Sequence, residues 1–179
     1  MRHILYTCAM RMTSFFLGLT LILSGCAAKF HKAIMRGENE AVRQMISQGA
    51  DVEQVATGTD LKQTPLYTAA VTGNLPAAKM LVAAGAKVNR SAPGGTPLKA
   101  AALWGDYNMA EFLLSAGADP NIARDMTPLL LATCYPDNLW DNPIQEDIVE
   151  LLLDHGANPN QEYNLYDKGT HTALSCAVS

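Results

Sequence analysis

Apolar residues along the chain fall into two regimes. From Thr13 to Leu23 they form one dense block, TSFFLGLTLIL, preceded by Arg2 and Arg11. From Phe30 onward they occur as short clusters separated by polar and glycine-containing turns. The triplets Met80-Leu81-Val82, Phe112-Leu113-Leu114 and Leu151-Leu152-Leu153 precede Gly85-Ala86, Gly117-Ala118-Asp119 and Gly156-Ala157-Asn158. Gln44-Met45-Ile46 before Gly49-Ala50-Asp51 is an earlier copy. Clusters of this size between glycines predict short amphipathic helices, each too short to be stable alone.

A second motif keeps step with the first. Thr64-Pro65-Leu66-Tyr67, Thr96-Pro97-Leu98-Lys99 and Thr127-Pro128-Leu129-Leu130 recur at spacings of 32 and 31, with Thr172-Ala173-Leu174-Ser175 as a weaker copy. Thr before Pro predicts a helix entry, because the hydroxyl caps orphan amides and Pro suits the first helical position. Ala69-Ala70, Ala100-Ala101 and Ala132-Thr133 supply small residues that let two helices approach closely. Gly37, Gly73 and Gly105 are placed to end the first helix of a pair. In the earliest unit the first helix is expected at Phe30-His31-Lys32-Ala33. Neither helix of a pair buries its apolar face alone, so neighbouring units must stack.

This unit resembles the ankyrin repeat, about 33 residues long with a T-P-L-H-x-A signature. The resemblance covers Phe30 to Ser179 and implies an all-α solenoid: four full or near-full repeats and a half repeat as C-terminal cap. The first unit lacks Thr-Pro, and the fourth replaces its mid-unit glycine with the insertion YPDNLWDNPIQ, Tyr135 to Gln145. In ankyrin-repeat proteins, partners bind the loop residues before Thr-Pro and the two residues after the Ala pair. Carried onto this chain, those positions are Asp60, Leu61, Gln63, Val71, Thr72, Leu103, Trp104, Arg124, Met126, Cys134 and Tyr135. Leu61, Leu103, Trp104, Met126 and Tyr135 are large and apolar. They either pack between repeats or form a partner-binding stripe. Trp140, within the insertion, either folds back as a plug or stands out as a further contact.

The apolar block at the start is about ten residues long, short of the roughly 20 that a membrane span needs, and its basic-then-apolar order predicts a secretory leader. Leu23-Ser24-Gly25-Cys26 then resembles the bacterial lipobox, which implies cleavage before Cys26 and a diacylglycerol on its thiol. The expected division is a leader over 1–25, the lipidated Cys26 and a short linker over 26–29, and the repeat domain over 30–179. Ala27 after the cysteine resembles sorting to the outer membrane, facing the periplasm. Translation from Met10 would also give a complete leader, so both Met1 and Met10 stand as candidate starts.

Composition narrows the function classes. The formal charge is −4 and there is no basic block, which argues against nucleic acid as a partner. Charge is uneven: Ala27 to Arg124 holds ten basic and eight acidic residues, whereas Asp125 to Ser179 holds nine acids against Lys168. That acidic half is either a solvated surface or a surface that steers a basic partner. The four histidines show no metal-ligand spacing, and there is no C-x-x-C, G-x-S-x-G or phosphate-binding glycine loop. No enzyme, metal, cofactor or small-molecule substrate is therefore expected. His31 resembles the structural histidine of the repeat, and His155 suits a helix C-terminus. Cys134 and Cys176 either form a disulfide or remain two separate thiols, the latter favoured because one maps inward and the other to the groove.

A tethered repeat protein without catalytic groups points to binding. Ankyrin-repeat lipoproteins resemble immunity partners of secreted antibacterial toxins, including phospholipase effectors of type VI secretion. The resemblance therefore implies a protein partner of that kind. The alternatives are a scaffold that binds or protects a periplasmic enzyme, and a structural component of the envelope.

Overall fold

The computed structural model describes residues 28–55, 62–122, 126–133, 145–164 and 170–174. In chain order they form α1 (28–35), α2 (Asn39–Ser47), α3 (Pro65–Val71), α4 (Leu75–Ala83), α5 (Pro97–Trp104), α6 (Tyr107–Ser115), α7 (Pro128–Thr133) and α8 (Glu146–Asp154). A two-residue antiparallel ladder follows, pairing β1 (Tyr163–Asn164) with β2 (Thr170–His171). Ala28 and Lys29 already belong to α1, two residues ahead of the expected start at Phe30.

The capping chemistry explains why such short segments are helical. Thr64, Thr96 and Thr127 accept through Oγ1 from the amides of Tyr67, Lys99 and Leu130 at 3.2, 3.2 and 3.1 Å. Each bond satisfies one amide that would otherwise be orphaned, worth about 1 kcal/mol, and Pro65, Pro97 and Pro128 follow at the first helical position. Asn74 and Asp106 cap α4 and α6 in the same way, accepting from Ala77 and Met109. Glu38 and Gln145 stand at the matching positions of α2 and α8 without a side-chain cap, their longer side chains being poorer cap acceptors.

Hairpins α3–α4, α5–α6 and α7–α8 stack in one direction, so α3, α5 and α7 form an inner row and α2 with α4, and α6 with α8, an outer one. Leu66, Leu98 and Leu129 from the inner row, and Leu81, Leu113 and Leu152 from the outer row, are buried between them. All six residues of α7 except Thr133 are buried, as befits a helix with the apolar sequence Pro-Leu-Leu-Leu-Ala. His31 is buried, and its Nε2 lies 2.9 Å from the carbonyl oxygen of Gln63, joining the first unit to the second. Asn74 Nδ2 donates to the Ile34 carbonyl at 3.0 Å across the same junction.

The loops carry a second set of junctions. Asn89 donates through Nδ2 to the Gly117 carbonyl at 3.0 Å and accepts at Oδ1 from the Asp119 amide at 2.9 Å. One repeat later, Asn121 makes the same two bonds with Gly156 and Asn158, at 3.0 and 2.8 Å. Glu53 occupies this position in the first unit and accepts from the Lys87 amide at 2.8 Å. A carboxylate has no N–H to give the next carbonyl. Arg90 engages Glu53 instead, with Nη1 2.6 Å from Oε2 and 3.0 Å from the backbone oxygen. Asn121→Ala should remove both bonds of its rung and cost about 1–2 kcal/mol, a fall in Tm of about 3–6 °C by circular dichroism. Asn121→Asp should lose less, since it keeps the acceptor. Equal Tm values for Asn121→Ala and the parent chain would refute the rung.

Between α4 and α5 the chain makes a tight turn in which Ala92 and Gly95 exchange both backbone bonds, at 2.8 and 2.9 Å. Gly94 lies against the ring of Tyr67, and a Cβ there would overlap the phenol oxygen and stand 2.6 Å from Cζ. Tyr67 is itself buried, which pushes its hydroxyl pKa above the ordinary value. Gly94→Ala should therefore cost about 1–3 kcal/mol through overpacking. Adding Tyr67→Phe should recover part of that loss in urea unfolding, because the nearest clashing atom is gone. A double variant no better than Gly94→Ala alone would exclude this contact as the cause.

Candidate protein-interaction face

The stacking of the inner row brings equivalent residues of successive helices into line. Counting back from Gly37, Gly73 and Gly105, the residue two before the turn is Met35, Val71 and Leu103, and the residue before it is Arg36, Thr72 and Trp104. These lie at the C-terminal ends of α1, α3 and α5, and α3 packs directly on α5. Met35 is 63% exposed and Trp104 60%, among the few large apolar side chains so exposed in the described residues, and Val71 and Leu103 are half-buried. Trp104 ends α5 immediately before Gly105, whose left-handed φ of 69° turns the chain away. The Thr72 hydroxyl donates back to the Thr68 carbonyl at 2.9 Å. Its hydrogen bond is thereby satisfied within its own helix. Arg36 lies 3.7 Å from Glu38, an exposed pair that contributes little to stability.

The remaining expected positions divide between loops and core. Gln63 is half-buried, and its carbonyl takes the bond from His31. Met126 is partly buried and packs against the core. Asp60, Leu61, Arg124, Cys134, Tyr135 and Trp140 lie outside the described residues, as do Cys26, Cys176 and the leader. Met35 was not among the expected positions, although its signal was present in the sequence. It stands in the same register before Gly37 as Leu103 does before Gly105, but the first unit lacks the Thr-Pro marker from which the other positions were counted.

Tyr107 of α6 and Asp147, Glu150 and Asp154 of α8 line an open polar recess of about 390 Å³ on the outer row. A mostly apolar groove of about 350 Å³ opens at the first end of the stack, lined by Lys29, Phe30, Met45, Gln48, Gly49, Ala50, Asp51 and Gln54. Among the described residues no group of three or more His, Cys, Asp or Glu is disposed to hold a metal ion. No helix among them is long and apolar enough to cross a membrane. His155 closes α8, with Nδ1 2.9 Å from the Leu151 carbonyl oxygen.

Capped helical hairpins, stacked in register and tied loop to loop, define a helical-repeat solenoid. Its units are matched by a family model of three ankyrin repeats over residues 30–124 and by a single ankyrin repeat over 124–164. The chain belongs to the ankyrin-repeat family, and the all-α solenoid expected from its Thr-Pro and Gly-Ala periodicity is the fold it has. A search of curated proteins found no match. Ankyrin repeats are protein-interaction modules, so the general role that follows is binding another protein.

Proposed function

We propose that this chain is a membrane-tethered binder that neutralises a secreted antibacterial toxin, a phospholipase effector of type VI secretion, in the periplasm. The observation that carries the binding reading is the apolar strip of Met35, Val71, Leu103 and Trp104. Exposed Trp and Met beside half-buried aliphatic residues are the composition of an interface centre, where a few anchors supply most of the affinity. The toxin class is supported by the leader and lipobox-like Leu23-Ser24-Gly25-Cys26. A phospholipase that attacks lipid from the periplasmic side must come to that surface, and an inhibitor tethered there meets it at raised effective concentration.

The test has a physiological and a biochemical arm. Cells lacking the protein should be killed by toxin-secreting siblings and rescued by the parent chain. In an envelope pull-down, the mature chain should capture a lipase of the secreted class. Full resistance of the deletion strain would end the immunity reading. Stable capture of an enzyme resident in the cell's own periplasm would favour the scaffold instead.

A further inference from the structure

The first end of the solenoid is open where every later unit is closed. Met45 aligns with Leu81, Leu113 and Leu152, and Ala50 with Ala86, Ala118 and Ala157. All six later residues are buried, whereas Met45 and Ala50 are half-exposed and line the groove with Phe30. Later units have a preceding repeat packed beside them, and among the described residues no repeat precedes the first. Terminal repeats of solenoids ordinarily present a polar outer face. Here the outer face keeps its apolar core residues, which then need a cover.

The position of this end relative to Cys26 indicates what the cover is. Cys26 stands two residues before Ala28, the first described residue of α1. Two residues reach at most about 7 Å, roughly the thickness of the headgroup layer on one side of a bilayer. Lys29 and Phe30, in the first described turn of α1, line the groove directly. The antiparallel return of α2 brings Gln48, Gly49 and Ala50 to the same end. Lys29 and Lys32 are exposed, so their ammonium groups are free to reach lipid phosphates while their stems lie along apolar surface. Asp51, the acid on the groove rim, accepts from the Glu53 amide at 2.9 Å.

We infer that this open end is a lipid-docking surface: the half-exposed Met45 and Ala50, backed by the buried Phe30, seat on the headgroup boundary of the phospholipid bilayer, with Lys29 at the rim. The inference rests on the reading of Cys26 as a lipid anchor. Docking holds the first repeat down as its own end cap, and the exposed strip at the far ends of the inner helices stays off the membrane.

The test is photocrosslinking of the full chain in intact cells. A benzophenone amino acid is placed at Gln48, beside the groove, or at Ser115, exposed at the end of α6. Radiolabelled phospholipid should be captured at Gln48 on the order of tenfold more than at Ser115, and Met45→Glu should reduce that capture to the Ser115 level. A linker of about ten Gly/Ser residues inserted after Ala27 adds about 17 Å of reach. Capture at Gln48 should survive this insertion if the surface has its own affinity for lipid. Loss of capture on lengthening the linker would reduce the effect to proximity and overturn the inference. So would a crosslinked dimer, or a crosslink to the chain's own acyl group without phospholipid. Intact mass separates the two readings. A chain without an acyl group refutes the anchor, while the Gln48-to-Ser115 ratio in that same chain still decides the docking.

Discussion

Truncating Leu113 to alanine should lower the unfolding free energy by about 3 kcal/mol and the Tm by about 6–12 °C. Leu113 is fully buried in the middle of α6, which packs against both α5 and α8. Three deleted carbons leave a void that capped, short helices cannot collapse to fill. The solenoid sharpens the effect, because a central unit is the only link between its two neighbours and its interface terms are lost on both sides. Met45 occupies the same position in the first unit but is half-exposed, so Met45→Ala should cost only about 1 kcal/mol. Urea unfolding of the two variants checks the contrast. Equal losses would mean that burial along the stack does not set the energetics.

Trp104→Ala should weaken partner binding about 30-fold, the equivalent of about 2 kcal/mol. Its folding stability should move by less than about 0.5 kcal/mol, since the indole is largely in solvent. Titration calorimetry with the captured partner, alongside thermal unfolding, separates the two effects. Leu153→Ala is the matched control: another exposed apolar residue, but on α8 in the outer row. A variant that loses stability together with affinity would place Trp104 in the core. Undiminished affinity would move the interface away from the ends of the inner helices.

Helix starts and stops were legible in the sequence because they depend on local chemistry. A threonine that caps its own helix three residues on, a proline that lacks only an amide it would not use, and a glycine in the left-handed region need no distant partner. Thr96, Pro97 and Gly105 could therefore be placed by inspection. Features that depend on a residue about one repeat away were hidden. The amide bridges of Asn89 and Asn121, and the use of the Gln63 carbonyl by His31, became visible only when successive loops and helices lay side by side. The short ladder of Tyr163–Asn164 with Thr170–His171 was not anticipated either, because a two-residue strand has no period to read. At the candidate site the register of Leu103 and Trp104 was available from Ala101-Ala102, the pair that aligns with Ala69-Ala70, whereas Met35 needed a count from the glycine. The sequence left open whether Met126 pointed outward or inward, and packing draws it against the core.

The loop bridges also bear on how such a chain lengthens or shortens over evolutionary time. Asn89 and Asn121 present the same donor and acceptor to the next loop. A gene segment cut at one asparagine and rejoined at the other would therefore find matching partners on both sides. Whole repeats can be gained in that stretch without redesigning a junction, whereas losing the one between them would take Arg90 away from Glu53. The Glu53–Arg90 junction is a different lock, opened by its own key, and a repeat spliced there would inherit a carboxylate facing a loop that lacks the arginine. Duplication should thus be tolerated in the middle of the protein and resisted at its first junction, which keeps the opening repeat a singular part of the chain.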